Sequence, residues 1–264
     1  MEAISVGYSD EATARVLPSG PLSQVYALEG PLGSVVVKLA PADVLAREAA
    51  ALRDPPGDAV APEVLAEGEG VLVLTLLPGE HVAPRALAAA DLGRLGASLR
   101  RLHDSRRTDW GQWPQWDAAE RTLAAYHAQV VAMVRAMAEP AHADRVERVL
   151  AALPALSAAG ERPFRRLHGD LWSGNLLWHR GQPALLDWEY SRQGDPAEEL
   201  AYLAEMDALA DAQLEALTAA YGEPGVTARV AAWRPLVALS AGLWYGELGM
   251  TERAEELLRQ AEGG

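Results

Sequence analysis

Strand and helix signals are segregated along this chain: the first eighty residues read as β, and helical patterning takes over from residue 84. Strands followed by helices point to an α+β fold. Residues 22–29 (LSQVYALE) and 34–39 (SVVVKL) flank Gly30-Pro31-Leu32-Gly33, the pattern of a hairpin. A helix is expected over Asp43–Leu52, with Leu45, Ala49 and Leu52 on one face, and Pro55-Pro56-Gly57 breaks it. A second hairpin runs from Glu63–Glu67 through Gly68-Glu69-Gly70 into the apolar run Val71–Leu77. Pro78-Gly79 ends that run and marks the expected boundary between a first unit, 1–78, and a second, 79–264.

In the second unit, leucines 92, 95, 99 and 102 form one stripe of a helix over Asp91–Asp104. Helical patterning continues over Glu120–Met137, Ala143–Leu156, Pro196–Asp207, Asp211–Tyr221, Thr227–Leu248 and Glu252–Ala261. Residues 163–188 interrupt it with a polar loop and two short apolar runs, Leu176–Trp178 and Ala184–Trp188. His179-Arg180-Gly181-Gln182 between those runs reads as a hairpin turn.

Composition narrows the function. The 264 residues suffice for one large domain or two modest ones, each with a real core. A formal charge of −14 argues against sequence-independent nucleic-acid binding and suits a cationic partner. Cysteine is absent, so disulfide and thiolate chemistry are excluded. The opening MEAISVGYSDEA lacks a basic region followed by an apolar one, and no apolar run reaches about 18 residues. A cytoplasmic protein is therefore expected.

The interrupting loop carries the chemistry. His168-Gly169-Asp170-Leu171-Trp172-Ser173-Gly174-Asn175 is followed by Asp187 in Leu-Leu-Asp-Trp. Phosphoryl transfer needs a carboxylate to orient the attacking hydroxyl, oxygen ligands for Mg²⁺, and a cation on the phosphates. Asp170, Asn175 after four intervening residues, and Asp187 returned by a hairpin supply the first two, in the order used by protein kinases. Asn and Asp oxygens suit a hard cation. Taken singly, Asp170 and Asp187 are also ordinary turn residues. Lys38, inside the strand-like VVVKL, supplies the third item, and Glu48 ten residues on is placed to pair with it. The plainer reading puts Lys38 on a solvated edge strand.

These motifs resemble the aminoglycoside phosphotransferase / choline kinase superfamily. HGDLWSGN at 168–175 is similar to the fructosamine and ribulosamine kinase motif, and LLDWEYSRQGDP at 185–196 to that of thiamine and choline kinases. The resemblance implies a protein-kinase-like, two-lobed fold with a small antiparallel-sheet N-lobe and a larger, mainly helical C-lobe. It implies ATP and Mg²⁺ as cofactors, Asp170 as the catalytic carboxylate, and Asn175 and Asp187 as metal ligands. Lys38 would hold ATP phosphates and Glu48 would orient it. Ser23 would lie over the phosphates, although Leu17–Ser23 is no G-x-G-x-x-G loop. Thr75 and Leu77, within Leu74–Gly79, belong to the segment whose backbone meets adenine in that superfamily. The substrate would be a small amine-bearing or cationic molecule whose hydroxyl is phosphorylated, with Trp172, Trp188, Glu189 and Tyr190 as candidates to contact it. Glu198, Glu199 and Glu205 are further acidic candidates, whereas Asp195 before Pro196 reads as a helix cap. His168 and His103 receive supporting roles. Three rivals remain: a protein kinase, disfavoured because no A-P-E follows Asp187, a non-catalytic nucleotide-binding regulatory module, and a Mg²⁺-dependent hydrolase, disfavoured because the chain lacks a dense His/Asp cluster.

Overall fold

In the computed structural model, residues 13–20, 23–30, 33–53, 60–104, 122–154 and 165–263 are described. Pro21, Leu22, Pro31, Leu32, the Pro55-Pro56-Gly57 breaker, Glu120 and Leu156 fall outside them. Strands β1 (Thr13–Leu17), β2 (Gln24–Gly30), β3 (Gly33–Leu39), β4 (Val64–Gly68) and β5 (Val71–Thr75) form one antiparallel sheet in the order β1-β2-β3-β5-β4. β3 is the middle strand, and Lys38 pairs with Val25 on one side and Leu72 on the other. The edge-strand reading of Lys38 is thereby corrected: it lies on an inner strand, and its side chain is buried on the face that Glu48, Asp187 and Glu189 cover.

Helix α1 (Ala42–Leu52) follows β3 and buries Val44, Leu45, Glu48, Ala49, Ala51 and Leu52. The face that carries its apolar residues therefore also carries Glu48. β5 stops at Thr75, two residues short of the end of the apolar run. Pairing decides the end: Thr75 is opposite Val35, two residues from the start of β3, and the chain then leaves the sheet.

Among the described residues seven further α-helices follow the sheet: α2 (Ala89–Asp104), α3 (Leu123–Met137), α4 (Ala143–Ala152), α5 (Pro196–Met206), α6 (Asp211–Tyr221), α7 (Val226–Glu247) and α8 (Thr251–Ala261). α5 lies deepest: ten of its eleven residues are buried, with Tyr202 the exception. Its N-cap is Asp195, which accepts the Ala197 N–H at 3.0 Å, as the Asp-Pro pair indicated. The Asp195 carboxylate also takes the Trp233 indole N–H at 2.9 Å and pairs with Arg229, fastening α5 to α7. No helix among the described residues is long and apolar enough to cross a membrane.

Among the described residues between α4 and α5 are four short strands. β7 (Leu176–His179) and β8 (Gln182–Leu185) form the expected hairpin, turning through Arg180 and Gly181, both at positive φ. The second apolar run stops being strand at Leu185, because Asp187 takes a left-handed φ of 64°. β6 (Arg165–Leu167) pairs with β9 (Arg192–Gly194), closing the two ends of the loop region on each other. Strands of three residues, RRL and RQG, carry no alternation from which to read them.

Candidate active site

Four side chains from three regions of the chain converge at the sheet. Lys38 Nζ on β3 donates to Glu48 Oε2 of α1 at 2.8 Å, to Asp187 Oδ1 at 2.5 Å and to Glu189 Oε2 at 2.9 Å. Burial by itself would lower the Lys38 pKa. Glu48, then Asp187 and Glu189, outweigh it and hold the ammonium charged well above its ordinary value. Three carboxylates around one ammonium leave excess negative charge, and burial, opposed by Lys38, pushes the Glu48 carboxyl up to about 7. Glu189, a substrate candidate by sequence, sits in this cluster with its carboxylate on Lys38.

The loop from 168 to 175 builds the second group. Gly169 has φ 92°, and a Cβ there would lie 2.0 Å from the Tyr190 carbonyl oxygen, so only glycine fits. The turn it makes sets Asp170 beside Asn175. Asn175 Nδ2 donates to the Asp170 backbone oxygen at 2.8 Å and to Oδ2 at 2.9 Å. With its nitrogen so engaged, Asn175 has its amide oxygen to offer a cation. The Tyr202 hydroxyl donates to Asp170 Oδ1 at 2.8 Å. Burial raises the Asp170 pKa, and the hydrogen bond from Tyr202, the nearby His168 and the bond from Asn175 oppose that rise.

The β7–β8 hairpin joins the two groups. Leu186 N–H donates to the Asn175 carbonyl at 2.9 Å, which sets Asp187 next to Asn175. His168 accepts the Asp170 N–H at Nδ1 (3.3 Å) and meets the Leu186 carbonyl through Nε2 at 2.8 Å, a loop-supporting role. The same hairpin is stapled to the segment after β5. Trp178 and Glu80 exchange backbone hydrogen bonds of 2.8 and 3.3 Å, and Leu185 N–H donates to Val60 O at 2.9 Å. A Cβ on Gly79 would stand 2.6 Å from the Trp178 carbonyl oxygen, so the close approach needs glycine there.

The remaining sequence candidates separate clearly. Trp188 is fully buried: His168 packs 4.6 Å from its ring, the Arg166 guanidinium lies 4.9 Å away, and its N–H is taken by Leu185 O. Stacking on a substrate is closed to it, because both its surroundings and its polar tip are occupied. Glu198 holds Tyr126 and Arg192, and Glu205 holds Arg234, so neither faces a substrate. Glu199 accepts the Gly169 N–H at 2.6 Å and meets His103 Nε2 at 2.8 Å. Trp172 and Tyr190 are partly buried. Trp172 packs with Tyr202 and Tyr245 against Met206, Ala241 and Leu257. Thr75 ends β5, Leu77 lies just beyond it, and Ser23 precedes β2 with its N–H on Gly20 O at 3.4 Å. Sequence reading missed Tyr202. Tyr202 stands three residues after Glu199 on a helix whose boundaries were legible, but nothing local distinguishes it from a core tyrosine.

The donor set suits Mg²⁺. Among the described residues, Glu48, Asp187 and Glu189 offer carboxylate oxygens within 4.8 Å of one another, and Asn175 is tied through its backbone to Leu186, the residue before Asp187. Hard, largely anionic oxygens are what that ion takes. A charged lysine facing the same cluster suits a polyphosphate.

A family model described as a phosphotransferase enzyme family matches residues 13–233. No curated protein sequence matches significantly. Among solved structures, a choline kinase from Cryptosporidium parvum superposes with a TM-score of 0.73 at 13% identity, covering 96% of this chain and 88% of its own. A macrolide 2′-phosphotransferase from Brachybacterium faecium gives 0.64 at 23% identity, with coverages of 93% and 91%. An ADP-bound aminoglycoside phosphotransferase gives 0.68 at 14% identity, with coverages of 97% and 95%.

Proposed function

This chain belongs to the phosphotransferase enzyme family, in the aminoglycoside phosphotransferase and choline kinase superfamily, and is a small-molecule kinase with a protein-kinase-like fold; on that basis we propose that it phosphorylates a hydroxyl of a small amine-bearing molecule using ATP and Mg²⁺. The observation that carries the reading is the Lys38–Asp187 ion pair, which joins the middle of the sheet to the end of the catalytic hairpin across 149 positions of sequence.

In this reading residues 1–78 form the nucleotide lobe and 79–264 the catalytic lobe. Mg²⁺-bound ATP supplies the electrophilic phosphoryl group and the charge that offsets the carboxylates. Asn175 and Asp187 hold the ion, with Glu189 beside them. Lys38, oriented by Glu48, grips the phosphates, while Ser23 lies over them and the backbone at Thr75 and Leu77 meets the base. Asp170 orients the acceptor hydroxyl and takes its proton, and most of the acceleration comes from positioning and charge complementarity. Trp172 and Tyr190, with the chain's acidic balance, favour a cationic acceptor of the fructosamine or ribulosamine, thiamine, choline or aminoglycoside class. A cytoplasmic site of action goes with this reading, because ATP is plentiful there.

The test is ADP release with Mg²⁺-ATP across a panel of a ribulosamine, a fructosamine, thiamine, choline and several aminoglycosides, with Asp170→Asn as blank. Turnover on one acceptor that the variant loses supports the kinase and assigns its substrate class. Nucleotide binding with silence on every acceptor favours a regulatory nucleotide-binding module instead.

A further inference from the structure

We propose that Tyr202 is a positioning residue for the reaction: its hydroxyl, presented by the buried helix α5, locks the Asp170 carboxylate in the orientation that receives the acceptor hydroxyl. The inference rests on the kinase reading above and adds a residue to which neither the motifs nor the family match assigns a role.

The geometry is a two-point dock. Glu199 and Tyr202 stand three residues apart on α5 and so share a face of the helix. Glu199 Oε1 accepts the Gly169 N–H at 2.6 Å, and the Tyr202 hydroxyl donates to Asp170 Oδ1 at 2.8 Å. One helical face thus grips two successive residues of the loop, one through the backbone and one through the reactive side chain. The helix is an anchored platform. Glu199 is braced from behind by His103, whose other ring nitrogen meets the Tyr221 hydroxyl at 3.0 Å. Asp195 caps the helix and ties it to α7.

Tyr202 is also the one residue of α5 that is only partly buried. With Asn175 on Oδ2 and Tyr202 on Oδ1, each carboxylate oxygen carries one donor. A carboxylate oxygen has two lone pairs, so a further hydroxyl can still be received. Side-chain rotation of Asp170 would break one bond or both. Burial and the neighbouring Asp170 carboxylate both raise the Tyr202 pKa, so the phenol keeps the proton it donates.

The experiment uses the full chain, with Tyr202→Phe removing only the hydroxyl. A hydrogen bond to a charged group of this kind predicts a fall in kcat of about 10- to 100-fold, with the KM for ATP unchanged. In an Asp170→Ala background the same substitution should lower the residual rate no further, because its effect runs through the carboxylate. Equal losses in both backgrounds, or a loss confined to KM, would overturn the proposal. A crystal structure of the Tyr202→Phe variant reads the contact without turnover. The Asp170 carboxylate should spread over more than one rotamer while Asn175 keeps its place. An Asp170 unmoved and single would also overturn it. Silence of the wild-type chain on every acceptor would instead count against the kinase reading, and the crystal structure would still decide the role of Tyr202.

Discussion

Asp170 and Lys38 show how burial sets chemistry one residue at a time. Burial raises the Asp170 pKa, and the donors on both of its oxygens oppose that rise. Asp170→Asn keeps the shape and loses the charge, so turnover should fall by about 10²- to 10⁴-fold, while equilibrium dialysis shows nucleotide still bound. A variant with wild-type turnover would remove Asp170 from the chemistry. Lys38 sits among three carboxylates, and the cost appears at Glu48, whose carboxyl is pushed from 4.5 up to about 7. Between those values the folded chain holds a proton that the unfolded chain has released. Stability from this group is therefore greatest below the lower value and declines as pH rises toward the upper one. In metal-free buffer, denaturant unfolding should show Glu48→Gln flattening a loss on the order of 1–3 kcal/mol between about pH 5 and pH 7.5. An unchanged slope in the variant would assign the titration elsewhere.

At the scale of elements, the site depends on where helices and hairpins are fastened. α5 grips the loop, and Asp195 holds α5 in place through its cap, Arg229 and Trp233. Asp195→Ala would leave the Trp233 indole N–H without its acceptor and the Arg229 guanidinium with Glu223 alone. Urea unfolding should record a loss of about 3–5 kcal/mol, with Asp195→Asn losing less because the cap survives. The β7–β8 hairpin is the second fastening, pinned by Glu80 and Val60, and it sets the distance between Asn175 and Asp187. Helices and this hairpin were legible in the sequence, because their periodicity and turn residues are local. The β6–β9 pair was not, since its three-residue strands carry no alternation and meet only by pairing segments distant in sequence.

Across the whole molecule, the sheet's lysine and the loop's carboxylates are held together by ion pairs that leave excess negative charge. A bound cation and its nucleotide would relieve that excess, so Mg²⁺ with ATP should raise the thermal midpoint well beyond ATP alone. Saturation at about 100 times Kd corresponds to roughly 2.7 kcal/mol. Asp187→Asn should abolish the Mg²⁺-dependent part in a thermal-shift titration. An undiminished Mg²⁺ shift in that variant would move the ion elsewhere.

Local spacing was enough to read the helices, the hairpins of the sheet, the loop from His168 to Asn175 and the hairpin after it, because each follows from a pattern over a few residues. The pairing of Lys38 with Glu48 was read from the kinase arrangement, and β1 was not read at all. Packing was needed for the rest: that Lys38 lies on the middle strand, that Glu189 faces that lysine, that Trp188 is enclosed, and that Tyr202 reaches Asp170. Those four depend on surfaces far apart in the chain, with 32 positions separating Tyr202 from Asp170 and 151 separating Glu189 from Lys38. Such meetings are set by how whole elements pack and pair, which no local pattern encodes.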